Sequence, residues 1–595
     1  MSLALSGWLS SRNLGMPGVT GSVTPHGSNY TNLIRSIIPA FEWLRTYDRK
    51  DLNGDLSAGV IVAIMLIPQG MAYAMLAGLP PVMGLYASTF PLVVYALFGS
   101  SRQLAVGPVA IMSLLVFAGL SSLAEPGSGE YIKLVLLLSF MVGVMKLCLG
   151  LFRFGFLVNF FSHAVISGFS SAAAIVICLS QLHHLLGVKF QTTHSIFPLL
   201  VEVGQRIGET NWPTFAVGCA SLACLGLVRS TFPRFPAPLL VVVVGTLLTQ
   251  ALHLDQMGVK IVGEVPRGLS GFSLPSFSME SVRQLFPLSL TLLFVGFMES
   301  ISVAKWIAAK EKVKVDSNQE LKALGLANVA ASFFSGYPVT GGFSRTAVNY
   351  QSGARTSLAS LITAGVILLI LLFFTPLFHF LPNAVLASIV MAAVVGLVDI
   401  REAKRLFGIK KIDGWMWVVT FGTTLVLGSE KGILLGVVFS LMVFIWRSAH
   451  PHTAELGYLE KEGVFRNLKR YPEALTYHGA LILRVDASFY FANVSYLEDL
   501  LRRNMIGRSD VQWVILDFSG VNDIDDVAID ALDGLMEDYE TQGIHFLIAN
   551  MKGPVRDLVA KAGWGEKYGQ RVTYPSIQRA LEDVGLTQKD SFSHS

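Results

Sequence analysis

The chain has 595 residues, of which 52% are hydrophobic and 14% charged, with a mean hydropathy of +0.56. Soluble proteins carry about 25% charged residues, so this composition argues against a water-soluble enzyme, and the apolar content excludes disorder over most of the length. The formal net charge of +4 is a sum of unlike parts: residues 1–454 hold 30 Lys+Arg and 19 Asp+Glu, a membrane body of +11, and residues 455–595 hold 15 and 22, a soluble part of −7 without the basic face that nucleic-acid binding needs.

Residues 1–50 read as a mobile cytosolic arm, with Gly, Ser, Pro and Thr but no compact apolar run behind a basic start, hence no signal peptide. Apolar runs suited to a membrane of about 30 Å then recur near 57–78, 81–99, 104–120, 131–152, 156–186, 213–230, 236–254, 286–308, 319–335, 343–352, 356–378, 382–399, 414–428 and 431–447, fourteen in all. Loops after even-numbered runs carry Arg102, Lys146, Arg153, Arg229, Arg234, Lys305, Lys310, Lys312, Lys314, Arg355 and the cluster Arg401 to Lys411. Loops after odd-numbered runs are short and uncharged or mix both signs, so the positive-inside rule puts both termini in the cytoplasm of a multi-pass cell-membrane protein. The sequons at Asn29 and Asn493 then fall on the cytosolic side and are chance matches. Cys148, Cys178, Cys219 and Cys224 all lie in apolar stretches and read as small buried hydrophobes.

The third run enters through Gly107-Pro108 and the tenth through Pro338-Val339-Thr340-Gly341-Gly342. Short, interrupted segments at corresponding places in two halves point to a transporter site. They lie seven runs apart, an odd number, so the halves, about 51–255 and 280–450, are inverted relative to one another. Two half-helices would then direct their N-termini, each with unpaired N–H groups and about half a positive charge, toward one midplane anion site that needs no metal.

Near that point stand Arg345, in the first turn of the tenth run, and Glu299, the one carboxylate in the apolar stretch Leu285–Ala304. An oxyanion is the natural partner of a buried guanidinium; the alternative is a cytosolic loop arginine. Glu299 reads as a proton-binding carboxyl, or else as a helix-end residue pairing with Lys305. Gln69 and Tyr73 follow Pro68 one helical turn apart and share a face, either toward the anion or in interhelical hydrogen bonds. Ser113 and Ser344 offer hydroxyls beside the half-helices.

From about 453 onward strands and helices alternate: strands at 479–485, 513–518 and 545–549, helices at 494–504, 527–542 and 554–563, an α/β domain spanning 451–595. The cluster Asp523, Asp525 and Asp526 reads as helix N-terminal charge rather than a metal site. No GxSxG, HExxH or phosphate-binding loop occurs, so no catalytic residue, cofactor or metal is expected.

PQGMAYAMLAGLPPVMGLYAS (68–88), GSSRQLAVGPVAIMSL (99–114) and GYPVTGGFSRTAVN (336–349) resemble the sulfate permease (SulP) family of anion transporters, over about Leu52 to Val584. VILDFSGVNDIDDVAIDAL (514–532) resembles the STAS domain, although Asp526 stands where relatives can carry a phosphorylatable serine. The resemblance implies an α-helical polytopic protein of two inverted seven-span repeats, arranged as core and gate domains with elevator-like alternating access, plus a cytosolic STAS domain. It implies a homodimer and a substrate site built from Gln69, Tyr73, Val106, Gly107, Pro108, Val109, Ala110, Ser344 and Arg345, with Glu299 for proton coupling. The expected function is proton-coupled sulfate uptake. Sodium-coupled bicarbonate symport and dicarboxylate or anion exchange are alternatives within the family, and a membrane signalling scaffold is one outside it.

Overall fold

A computed structural model describes residues 38–160, 162–188, 196–232, 235–586 and 592–593. Residues 1–37 of the expected arm, the sequon at Asn29 and the predicted loop residue Arg234 lie outside the described residues. The chain forms two compact units, 1–437 and 438–595.

In the first unit every predicted apolar run contains helix. The first repeat comprises α1 (Leu52–Leu76), α2 (Pro81–Tyr86) with α3 (Phe90–Phe98), the two-residue strand β1 (Val106–Gly107), α4 (Ala110–Leu120), α5 (Gly129–Leu151), α6 (His163–Ser180), α7 (Trp212–Thr231) and α8 (Ala237–Leu252). The second repeat comprises α9 (Met279–Glu311), α10 (Ser317–Phe333), β2 (Thr340–Gly341), α11 (Phe343–Gln351), α12 (Leu358–Phe373), α13 (Asn383–Val394), α14 (Lys411–Leu427) and α15 (Ser429–Ala449), whose end enters the second unit. Among the described residues, eight helical stretches are long and apolar enough to cross a membrane, and the other six runs are shorter helices. Prolines open α2, α3, α7 and α8 in their first turn, where the missing N–H is no loss. Ser128 and Asp316 cap α5 and α10 by accepting from Tyr131 N–H and from Asn318 and Gln319 N–H.

The helices pack in two groups. In one, α5 lies on α10, α1 on α12, α3 on α10 and α9 on α5; in the other, α14 lies on α6 and α13 on α7. The first group holds α1–α5 and α9–α12, the first four runs of each repeat, and the second holds the last three. Close approach in the first group depends on small residues: a Cβ on Gly143 of α5 would stand 2.8 Å from the Gly325 carbonyl of α10, and one on Gly325 2.7 Å from the Leu147 nitrogen. Two buried carboxylates tie the repeats reciprocally. Asp55 accepts from Arg355 N–H (2.7 Å), Thr356 N–H (3.0 Å) and the Thr356 hydroxyl (2.6 Å). Glu320 accepts from Ser100 N–H (2.9 Å), Ser101 N–H (3.0 Å) and the Tyr95 hydroxyl (2.8 Å).

The structure corrects the sequence reading of this unit at four places. The cysteines expected as buried hydrophobes are not buried: Cys148 is exposed and Cys178, Cys219 and Cys224 are half-buried. Lys146, assigned to a cytosolic loop, lies within α5 and is 0% exposed. The predicted basic loop 400–411 is largely the amphipathic helix Ile400–Ile409, burying Ala403 and Leu406. A further helix, Ile196–Arg206, lies in what was read as a loop.

The second unit holds a five-stranded sheet. Its strands are β3 (Thr453–Leu459), β4 (Val464–Asn467), β5 (Ala480–Val485), β6 (Trp513–Asp517) and β7 (His545–Ala549), in the order β4-β3-β5-β6-β7. The three predicted strands are the parallel trio β5, β6 and β7, and the antiparallel hairpin β3–β4 was not anticipated. Leu481, Leu483, Val514 and Leu516 pack under helices α16 (Val494–Met505), α17 (Asp526–Glu540) and α18 (Gly553–Lys561), while Ile482, Ile515 and Leu547 pack against Ile577 and Leu581. Strands apolar on both faces are what a parallel sheet covered on both sides requires.

Candidate anion site

The two interrupted runs meet. Strand β1 pairs antiparallel with β2, Val106 opposite Gly341 and Gly107 opposite Thr340. The chains leave this crossing in opposite directions and each enters a helix within three residues, so the N-termini of α4 and α11 lie on either side of it. At about 1.5 Å per residue, helices of 11 and 9 residues each reach roughly half of a hydrocarbon core of ~30 Å. The first bonds inside them run from Ser113 N–H to Val109 and from Thr346 N–H to Gly342. The N–H groups of Ala110, Ile111 and Met112, and of Phe343, Ser344 and Arg345, therefore have no acceptor within their own helix.

The crossing is braced from both sides. Gly342 N–H donates to the Ala105 carbonyl (3.1 Å), and Ala105 N–H donates to the Thr346 hydroxyl (3.0 Å). Asn328 of α10 accepts from Val339 N–H (2.9 Å) and donates to the Val339 carbonyl (3.0 Å). From α9, Ser300 accepts from Gly341 N–H (2.8 Å), and the Thr340 hydroxyl donates to the Gly296 carbonyl. Glu299 is thus carried by the turn of α9 that is bonded to β2.

Arg345 is 3% exposed, and its Nε and Nη2 have no protein partner. A Cβ built on Gly342 would stand 2.8 Å from Nη2 and one on Gly107 3.5 Å from it, so the guanidinium lies across both broken segments. A Cβ on Gly342 would crowd the guanidinium, whereas one on Gly107 would stand in ordinary contact with it. Tyr73, Glu299 and Tyr337 are the titratable side chains close enough to Arg345 to act on it. Tyr337 is fully buried, its hydroxyl 3.2 Å from that of Ser113. The Gln69 Oε1 and the Glu299 Oε2 are also buried without a partner. Buried polar atoms are normally hydrogen-bonded; here a cation, an amide oxygen and a carboxyl oxygen are all left with bonding capacity. Such a set can bind an oxyanion on Arg345 and the helix N–H groups and hold a proton on Glu299.

The structure brings together Tyr73, Glu299 and Arg345 at the crossing formed by buried Val106, Gly107, Pro108, Val109 and Ala110; Gln69 lies one turn before Tyr73 on α1. Ser344 is exposed rather than in this buried group. Lys305, the alternative partner for Glu299, is exposed, and the cations that act on Glu299 are Arg345 and Lys146. Sequence reasoning missed Tyr337, Asn328 and Lys146. Tyr337 sits inside the quoted motif 336–349, and Lys146 is the one charge in Leu134–Phe152. In the second unit, Asp525 caps α17 by accepting from Ala528 N–H (2.8 Å) and reaches Phe491 N–H (3.0 Å).

Residues 52–420 match the sulfate permease family and residues 471–580 the STAS domain. The chain is 43% identical to a "Probable sulfate transporter 4.2" of Arabidopsis thaliana, over 92% of this chain and 84% of the relative. It is 34% identical to "Sulfate transporter 1.2" of the same plant, over 94% and 89%. Murine Solute Carrier 26 family member A9, an anion transporter solved in the inward-facing state, superposes with a TM-score of 0.87 at 25% identity, covering 97% of this chain and all of that one. The chain belongs to the sulfate permease family of membrane anion transporters and carries a STAS domain at its C-terminal side.

Proposed function

We propose that the protein is a secondary active transporter that moves sulfate together with protons. The observation that carries this reading is Arg345: a buried guanidinium with unpartnered nitrogens, set between two helix N-termini. The plant relatives' names support sulfate as the oxyanion. Bringing a dianion into a cell with an inside-negative potential costs about 2.3 kcal/mol per charge per 100 mV. Arg345 and the helix ends stay with the protein and cannot supply that energy. Glu299 can, because a carboxyl beside the same guanidinium can load a proton with the anion and release it afterwards. The two packing groups fit an elevator-like movement, in which the group with α1–α5 and α9–α12 carries the anion past the other. The reading includes a homodimer in the cell membrane with both termini cytoplasmic, and a domain division of arm 1–50, transport domain 51–450 and STAS domain 451–595.

The test is radiolabelled sulfate uptake into proteoliposomes under an imposed pH gradient and, separately, a sodium gradient. Uptake driven by the pH gradient alone is expected. Uptake that follows sodium and ignores pH would replace this reading with the sodium-coupled one, and bicarbonate would then be the first substrate to try.

A further inference from the structure

A single carboxyl leaves one of sulfate's two charges uncovered, and the membrane unit holds a buried amine beside it. Lys146 on α5 is 0% exposed, and its Nζ has no hydrogen-bond partner. It is the sole buried lysine among the described residues. Its Nζ lies over Gly296 of α9, 3.1 Å from where a Cβ would stand, and the Met112 methyl of α4 reaches the same spot at 3.1 Å. Gly296 is one turn before Glu299, and Met112 is in the first turn of the half-helix that faces the crossing.

The surroundings single out its electrostatic partner. Glu299 on α9 is the carboxyl whose charge acts on Lys146, and Arg345 acts on Glu299 as well. Helix α4 and the segment Phe154–Phe160 carry no charged side chain. Helix α10 carries Glu320, already held by Tyr95, Ser100 and Ser101, and Lys322, whose stem lies against Gly150 one turn further along α5. An ammonium with three donors and no acceptor is strongly disfavoured in such a place unless an uncompensated negative charge is near, and the Glu299 carboxylate is already offset by Arg345. A neutral amine costs far less, and a bound dianion supplies the negative charge that an ammonium needs.

We propose that Lys146 is the second proton-exchanging group of the transport site, neutral when the site is empty and protonated together with Glu299 when sulfate is bound. The proposal rests on the reading of Glu299 as proton carrier. In the empty site Arg345 (+1), ionised Glu299 (−1) and amine Lys146 (0) sum to zero. In the loaded site Arg345 (+1), protonated Glu299 (0) and ammonium Lys146 (+1) sum to +2, and the sulfate dianion cancels them. Two protons enter from water on one side, one forming an O–H on Glu299 and one an N–H on Lys146, and both leave to water on the other. The carrier is then electrically neutral in both of its transits.

The experiment measures protons and sulfate taken up together in proteoliposomes, with a pH dye and radiolabelled sulfate, at clamped membrane potentials. The wild-type protein is expected to take up two protons per sulfate, independently of potential. Lys146→Met and Lys146→Arg, one permanently neutral and one permanently charged, should each take up one proton per sulfate and slow down at inside-negative potential, while retaining sulfate counterflow. The two variants bracket the charge, so whichever reaches the liposomes decides the matter. A ratio of one in the wild-type protein, or an unchanged ratio in either variant, overturns the proposal. Glu299→Gln run alongside separates the two claims: if it keeps the wild-type ratio, the Glu299 reading fails by itself.

Discussion

The guanidinium of Arg345 lies across Gly107, with Nη2 3.5 Å from where a Cβ on that glycine would stand, so a residue of one repeat covers the broken span of the other. That distance is ordinary van der Waals contact, and Gly107→Ala should bind sulfate with little change. Gly107→Val adds two methyl groups in the guanidinium's space and should weaken binding at least about tenfold, which corresponds to ~1.4 kcal/mol. Equilibrium binding to the purified variants checks this; equal affinity in the Ala and Val forms would contradict the placement of Arg345.

Glu299→Gln keeps the shape of the side chain and removes its exchangeable proton. One proton moved through one pH unit supplies about 1.36 kcal/mol, a factor of ten. Sulfate accumulation at a gradient of one pH unit should therefore fall at least tenfold, while counterflow between equal pH values persists. Accumulation at the wild-type level would remove Glu299 from the coupling.

Asn328 fixes the entry to α11 through paired bonds to both backbone groups of Val339. Asn328→Ala leaves a buried N–H and a buried carbonyl short of partners, at a cost of about 1–3 kcal/mol. The melting temperature in detergent should drop and sulfate affinity should fall with it, because the crossing loosens. Thermal unfolding read with and without sulfate tests both, and an Asn328→Ala protein with unchanged melting and affinity would refute the bracing role.

Glu320→Ala unties Tyr95, Ser100 and Ser101 from α10. Hydrogen bonds to a charged group contribute about 1.5–3 kcal/mol each, so this variant should destabilise the membrane unit more than Asn328→Ala does. The signature of a purely structural role is lowered stability with unchanged proton-to-sulfate ratio in the protein that survives; a changed ratio would make Glu320 part of the coupling.

In the STAS domain, Asp525→Ala removes the cap of α17 and a bond to Phe491 N–H. Loss of such a cap costs about 1 kcal/mol, and Asp525→Asn should restore most of it. Denaturant unfolding followed on the full chain through Trp564, buried in the same core, would register this; equal midpoints for the Ala variant and the wild type would argue against a capping role.

Period and punctuation carried the architecture. Uninterrupted apolar runs have few alternatives to membrane helices, and Gly107-Pro108 and Pro338 to Gly342 marked the two breaks because glycine and proline end helices for covalent reasons. Arg345 was legible since a cation beside such a break has little else to do. Lys146 was not: one lysine near the end of an apolar run looks like a loop residue until the neighbouring helices are in place, with Gly296 of α9 and Met112 of α4 against its amine. Ser344, adjacent to Arg345 in sequence, points elsewhere because consecutive helical residues do not share a face. The helices Ile196–Arg206 and Ile400–Ile409 were hidden by their mixed polarity, which reads as loop when only continuous apolar length is sought.

Sulfate binding to purified Arg345→Ala tests the account most directly. Truncating one partner of a buried charge pair costs about 2–5 kcal/mol, so the dissociation constant should rise roughly thirtyfold or more while the protein remains folded and monodisperse. A folded Arg345→Ala protein that binds sulfate with wild-type affinity would contradict the anion site at the crossing of the two broken spans.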